Sequence, residues 1–259
     1  MPGIEVPEYA LQFGFDNVPI GTHGSRTLML AELRTLLSGV PPLAGLEEYR
    51  SAVVRENIPL KHTTAGRRAT FRALRELYGL SRDVLLFRAL RDLWDADPAA
   101  QPLLALLCAT ARDPILWATA DTVLDTKPGE AVTPQQLAHA VAERFPGRYK
   151  SGVLDHMGRN TASTWQQSGH LAGRQKKVRS AAASAPTSVA YGLLLGHLCG
   201  DRGEGLLTTL WARLLDTPVY LLRERASMAS QRGWIDYRYS GAVTDVGFSH
   251  LLRDVEVVG

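Results

Sequence analysis

The hydrophobic period of this chain changes once. From Ser25 to Gln231 apolar residues recur at helical spacing, in short runs cut by capping residues, glycines and prolines. At Trp234 the pattern switches to WIDYRY, a Ser240-Gly241 turn and AVTDVGF, the signature of two strands joined tightly. Short amphipathic helices can bury their stripes only against one another. The expected fold is therefore mainly α and multi-helical, and the helix, helix, helix, hairpin order of its last third is that of a C-terminal winged-helix-like module with a β-hairpin.

The punctuation predicts where each helix lies. Residues 1–24 read as irregular, with Pro2, Pro7, Pro19, Gly21 and Gly24 as breakers. Ser25 is placed to cap a helix through Leu37, and a second runs from Leu46 to Glu56. Thr63 or Thr64 caps a third through Tyr78, stopped by Gly79, and Ser81 caps a fourth to Trp94. The 98–125 segment reads as two helices broken at Asp113-Pro114, with core positions from Leu103 to Trp117. Thr133-Pro134 starts another helix, to Phe145, followed by 151–168, 188–199, 204–215 and Pro218 to Gln231. The expected organisation is an irregular segment 1–24, a helical domain 25–128 and a helical, winged-helix-like domain 129–259. The basic stretch 169–187 reads as a hinge, either an exposed loop or a short basic helix.

Charge is distributed unevenly along this framework. The net charge is +3, yet residues 61–91 carry +6 and residues 144–200 carry +7, leaving −10 for the rest. Such an imbalance points to a polyanionic partner, and nucleic acid is the usual one. In the first island Arg68, Arg72 and Arg75 fall at i, i+4 and i+7, one helix face, with Arg67 beside them and Lys61 just ahead. In the second, Arg148 and Lys150 precede the dense run Arg174, Lys176, Lys177 and Arg179. These cations are candidate phosphate contacts. Arg223, Arg225 and Arg232, on or at the end of the third helix of the winged-helix-like module, and Arg238, on its wing, are further candidates. The alternative for every one of them is a solvated face or loop. Trp165, Gln166 and Gln167 could add stacking and polar contacts, although a tryptophan there also fits the core.

Enzyme chemistry finds little support. His197 and Cys199 have no second pair to complete a zinc site. There is no phosphate-binding glycine loop, no dinucleotide fingerprint and no nucleophile elbow. Asp254-Val255-Glu256 has a spacing some metal nucleases use, but it lacks a following lysine and reads as a charged tail. His139, His156 and His170 are scattered. No catalytic residue, metal or cofactor is expected. Cys108 and Cys199, in apolar helical contexts, read as buried free thiols of a cytoplasmic protein. No apolar run is long enough for a membrane span, and residues 1–17 do not look like a secretory signal.

Several segments resemble the BrxA family, a non-enzymatic component of bacterial BREX phage-exclusion systems. They are SRTLMLAELRTLL, ENIPLKHTTAGRRATFRALREL, QPLLALLCATARDPILWATADTVLDTK, TPQQLAHAVAERF and NTASTWQQSGHLAG, which together span roughly residues 20–172. In that family a basic helix follows the Glu-Asn segment, here the helix with Arg67, Arg68, Arg72 and Arg75. The resemblance implies a helical protein with helix-turn-helix-like and winged-helix elements that binds double-stranded DNA and works beside other defence-system proteins. Beyond about residue 173 the chain departs from the family pattern, and its basic hinge and hairpin are extra length. A protein–protein adaptor, a winged-helix transcriptional regulator and an RNA-binding protein are the alternatives.

Overall fold

The computed structural model describes residues 6–19, 21–241 and 243–253. Asp254, Val255 and Glu256 of the charged tail, and Ala242 of the expected second strand, lie outside them. The fold is mainly helical, with two small antiparallel hairpins towards the C-terminus.

The first helices are α1 (Leu30–Gly39), α2 (Leu46–Val54), α3 (Thr64–Tyr78) and α4 (Leu85–Trp94). Next come α5 (Gln101–Arg112), the short α6 (Pro114–Ala118) and α7 (Ala120–Leu124), then α8 (Pro134–Arg144) and α9 (Ser151–Gln167). A hairpin of β1 (Leu171–Ala172) and β2 (Val178–Arg179) leads to α10 (Pro186–Leu198), α11 (Leu210–Arg213) and α12 (Val219–Gln231). A second hairpin, β3 (Asp236–Ser240) and β4 (Val243–Gly247), pairs Tyr237 with Val246 and Tyr239 with Thr244.

Two helices form the centre. Leu103 to Ala111 of α5 are all buried, and α10 buries every residue from Thr187 to Gly196. A helix apolar on every side has to sit inside, and α10 packs on α4, α5, α11 and α12. One continuous apolar cluster runs from Val6 to Leu251 and includes both helices, so segments 25–128 and 129–259 share a core.

Side-chain caps explain the starts of α3, α6, α8 and α11. Thr63 accepts from the Gly66 amide, and Thr133 and Gln136 form a reciprocal capping box. Asp113 caps α6 through the Ile115 amide, with Pro114 at its first position. Two expected caps fail: Ser81 engages Asp83 while α4 starts only at Leu85, after Val84, and Ser25 caps nothing, since α1 begins at Leu30, after Met29 in a left-handed conformation (φ 52°). Tertiary contacts override local propensity there. Tyr78 donates its hydroxyl to the Leu28 carbonyl, and the Leu30 amide donates to the Gln167 side chain.

The basic stretch 169–187 is neither helix nor plain loop. β1 and β2 pair Leu171 with Arg179 and Ala172 with Val178, and Ala131 bridges to Val178 from the other side. The Gly129 amide donates to Arg179, and the Arg179 amide donates to Glu130. Gly173 turns the hairpin at φ +96°, where a Cβ would stand 2.2 Å from the Lys176 carbonyl oxygen, so glycine is required.

Candidate nucleic-acid interface

The first basic island divides into two populations. On α3 the residues Thr70, Ala73, Leu74, Leu77 and Tyr78 are buried, which turns Arg68, Arg72 and Arg75 outward on the opposite face. All three are exposed, and among the described residues none has a carboxylate within ion-pair distance. The others hold the fold together. Lys61 reaches Glu32 at 2.8 Å. Burial alone would raise the Glu32 carboxyl, but the hydrogen bond and charge of Lys61 hold it below its usual range. Half-buried Arg67 donates to the Lys61 carbonyl. Arg82 and Arg88 donate to the carbonyls of Pro42 and Arg253. Arg91, only 4% exposed, binds Asp95 and the Leu37 and Val40 carbonyls at the end of α1.

Facing α3 across a cleft of about 840 Å³ is α2, which brings Arg50 and Arg55 to the same opening as Arg68, Arg72 and Arg75. Sequence reasoning missed this pair. Glu47, Glu48 and Glu56 cancel them in any linear charge count. The usable signal was positional, because Glu47, Arg50, Ser51, Val54 and Arg55 share one helical face. Arg50 and Glu47 approach to 3.4 Å, an exposed contact of small energetic weight.

The second island divides in the same way. Arg148 and Lys150, in the exposed turn between α8 and α9, face solvent, and the Arg148 guanidinium lies 5.8 Å from the Tyr149 ring centre. Arg174 and Lys176 are exposed at the β1–β2 turn. Lys177 is half-buried, and its ammonium donates to the Gln166 side chain. Burial lowers its pKa. Gln166 thereby positions a lysine, and Trp165 is fully buried, donating to Thr119.

Arg179 is a correction. It is 6% exposed and sealed inside the fold, so it cannot reach a phosphate. Its guanidinium grips both oxygens of Asp216 at 2.8 and 2.7 Å, and Asp216 also accepts from the Ala182 amide. Burial alone would raise the Asp216 carboxyl, yet these hydrogen bonds and the arginine charge hold it low. His170 lies alongside, hydrogen-bonded to Ser168 and to the Leu214 carbonyl, with its pKa pushed down to about 4 by burial.

Two arginines of the C-terminal module, Arg223 and Arg225, are engaged internally, whereas Arg232 is exposed beside the Trp234 ring. Arg223 binds Glu204, approaches Thr244 and lies 4.1 Å from the Tyr239 ring centre. Arg225 donates to Ser184 and Thr217. Both therefore bind α12 to its neighbours. Arg238, on β3, is exposed. Among polar neighbours such as Glu224, Asp236 and Asp245, α12 and the hairpin also leave large apolar or aromatic side chains in solvent: Tyr220 is 69% exposed, Tyr239 50% and Val243 67%.

The N-terminal segment, expected to be irregular, instead forms 3-10 turns at Glu8–Phe13 and Thr22–Gly24, and it fastens α3 to α9. The Thr22 hydroxyl donates to Glu76 on α3 at 2.6 Å, and Asn160 and Tyr149 donate to the carbonyls of His23 and Pro19. The fully buried His23 ring lies between Asp113, at 2.6 Å, and Thr164, at 2.9 Å. Burial alone would raise the Asp113 carboxyl, but His23 and two backbone amides lower it. This His–Asp–Thr line resembles a catalytic relay in order, but the ring has no contact with solvent from which to meet a substrate.

Burial raises the thiols of Cys108 and Cys199 to about 11 and about 12, which keeps both protonated at neutral pH. Cys199 is half-buried rather than buried. Among the described residues no three His, Cys, Asp or Glu side chains gather as a metal site, and no helix is long and apolar enough to cross a membrane. No protein-family model matches the chain, and no curated protein matches it.

Proposed function

We propose that this chain is a non-enzymatic protein that binds double-stranded DNA through its phosphates, with little reading of bases. In this reading it is an accessory component of a BREX-type phage-defence system, as the resemblance of residues 20–172 to the BrxA family suggests. The observation that carries the DNA-binding part is the outward face of α3. Three arginines spaced along one helix, without carboxylate partners among the described residues, meet two more from α2 across an open cleft. Guanidinium groups match phosphate oxygens bidentately and stay charged at any physiological pH. We read α2 and α3 as the helix-turn-helix-like element, and Arg148, Lys150, Arg174 and Lys176 as auxiliary cations.

The test is fluorescence anisotropy with a random-sequence duplex of about 30 base pairs across a salt series. Binding should fall steeply with salt, and changing Arg68 and Arg72 together to alanine should remove most of it. Absence of binding at low salt defeats the proposal. A duplex RNA competitor that displaces DNA at equal concentration would move the ligand class to RNA.

A second reading concerns the C-terminal module alone. We read α10, α11, α12 and the β3–β4 hairpin as winged-helix-like in order, and as a protein-docking platform rather than a groove reader. Arg223 and Arg225 are engaged internally, while Tyr220 and Tyr239 stand exposed, and aromatic residues are enriched at protein interfaces. Copurification of a partner that is lost on Tyr220→Ala, with DNA affinity unchanged, would separate this role from DNA binding.

A further inference from the structure

The α2–α3 cleft has an apolar component that phosphate binding does not use. Leu46, Val54 and Phe71 line it, all half-buried, with Arg68, Arg72 and Arg75 standing further out on α3. Leu46 and Phe71 pack down onto the core, so their outer faces form the cleft floor beneath the guanidinium groups. An intact duplex is convex and offers phosphate and sugar on its outside, with its base faces stacked away. Docked on the rim, it would leave this floor wet. An unpaired nucleotide carries both a flat apolar face and flanking phosphates. Grooves that hold single strands combine these two features, cations along the backbone and an aromatic ring for the base.

The dimensions agree. A cleft of about 840 Å³ falls in the range of pockets that enclose small organic ligands. Arg68, Arg72 and Arg75 climb the helix in steps of about 6 and about 4.5 Å, and their long side chains let separate guanidinium groups hold separate phosphates.

We propose that this cleft captures an unpaired nucleotide at a DNA end, gap or single-stranded tail, with the base on Phe71 and the adjoining phosphates on Arg68, Arg72 and Arg75. The inference rests on the DNA-binding reading and narrows it to DNA that offers an unstacked base.

The experiment compares a blunt duplex with the same duplex carrying a short thymidine tail, by anisotropy at one salt concentration. Wild-type protein should bind the tailed duplex about tenfold more tightly. Phe71→Leu keeps an apolar side chain on the core and removes the ring, so it should abolish the tail preference and leave blunt-duplex affinity unchanged. Phe71→Tyr, which retains an aromatic face, should restore the preference. Equal affinity of wild-type protein for the two DNAs overturns the inference, as does a tail preference that survives Phe71→Leu. In either case blunt-duplex binding that still depends on Arg68 and Arg72 leaves the broader DNA-binding reading intact. Failure to bind either DNA at low salt overturns both.

Discussion

Arg179 and Asp216, 37 residues apart, close a two-pronged ion pair that fixes the basic hairpin to the turn ahead of α12. The arginine is almost wholly buried and the aspartate largely so. Removing one partner strands the other charge in a low-dielectric site, which costs about 3 kcal/mol or more. Arg179→Ala should therefore lower the chemical-denaturation midpoint substantially. The folded fraction should retain wild-type DNA affinity and salt dependence. A loss of DNA affinity without loss of stability would return Arg179 to the binding surface.

The division between free and engaged arginines predicts two opposite phenotypes. Arg68→Ala with Arg72→Ala should reduce the slope of log affinity against log salt by about two, since each phosphate contact contributes about 0.9. Stability should stay within about 0.5 kcal/mol of wild type, because both side chains are exposed. Arg223→Ala should do the reverse, costing about 1 kcal/mol through its lost contacts with Glu204 and the Tyr239 ring, with an unchanged salt slope. Salt-dependent anisotropy and urea denaturation on the same preparations check both.

Stability should decline towards acid in two stages. His170 and His197 are held neutral by burial, with pKa values near 4 against 6.5 when unfolded. Between those values the unfolded chain binds more protons than the native one, so stability falls as pH drops from about 6.5 towards 4. Below 3.8, protonation of Asp113 and Asp216, whose carboxyls are held low in the fold, removes more. Denaturation midpoints should be flat above pH 7 and fall between pH 6.5 and 4. In His170→Gln that fall should be shallower. A profile flat to pH 4 would contradict the assignment of neutral buried imidazoles.

Two glycines of α9 should respond oppositely to alanine. At Gly158 a Cβ would lie 2.1 Å from the Pro134 carbonyl oxygen, so α8 and α9 must separate to admit it. Overpacking of this kind costs about 1–3 kcal/mol. At Gly152 nothing lies within 4 Å, and alanine there should stabilise the helix by about 0.5 kcal/mol. Thermal melts of the two variants distinguish a packing constraint from generic glycine flexibility.

Helix order was largely legible because its determinants are local. Thr63, Thr133 and Pro134 announce their helices in sequence, and Gly79 closes one. One departure is local, since the Ser81 hydroxyl turns to Asp83 and α4 waits until Leu85; two others come from partners distant in sequence. Tyr78 and Gln167 hold the segment before α1 out of helix, and residues 129–132 turn the expected hinge into a paired strand. The candidate interface was legible in part for the same reason. The α3 stripe is a local periodicity, visible from spacing alone. Arg91 is consumed partly by its local neighbour Asp95, but Lys61, Arg223 and Arg179 are consumed by Glu32, Glu204 and Asp216, none of which lies in the helix or strand it neutralises. A linear charge count therefore credits the surface with arginines that belong to the interior, and misses Arg50 and Arg55.

The segment around Thr22 and His23 looks dispensable as sequence, being short, irregular and rich in breakers. Its deletion would nonetheless behave as a core mutation. Asp113, Thr164 and Asn160 would each lose a hydrogen-bond partner in or near the interior, and Glu76 would lose the hydroxyl it binds. Unmet buried polar groups cost about 1–3 kcal/mol apiece, so a chain trimmed to begin at α1 would forfeit much of a typical domain's margin. For anyone shortening this protein the front end is a keystone, and cuts belong elsewhere.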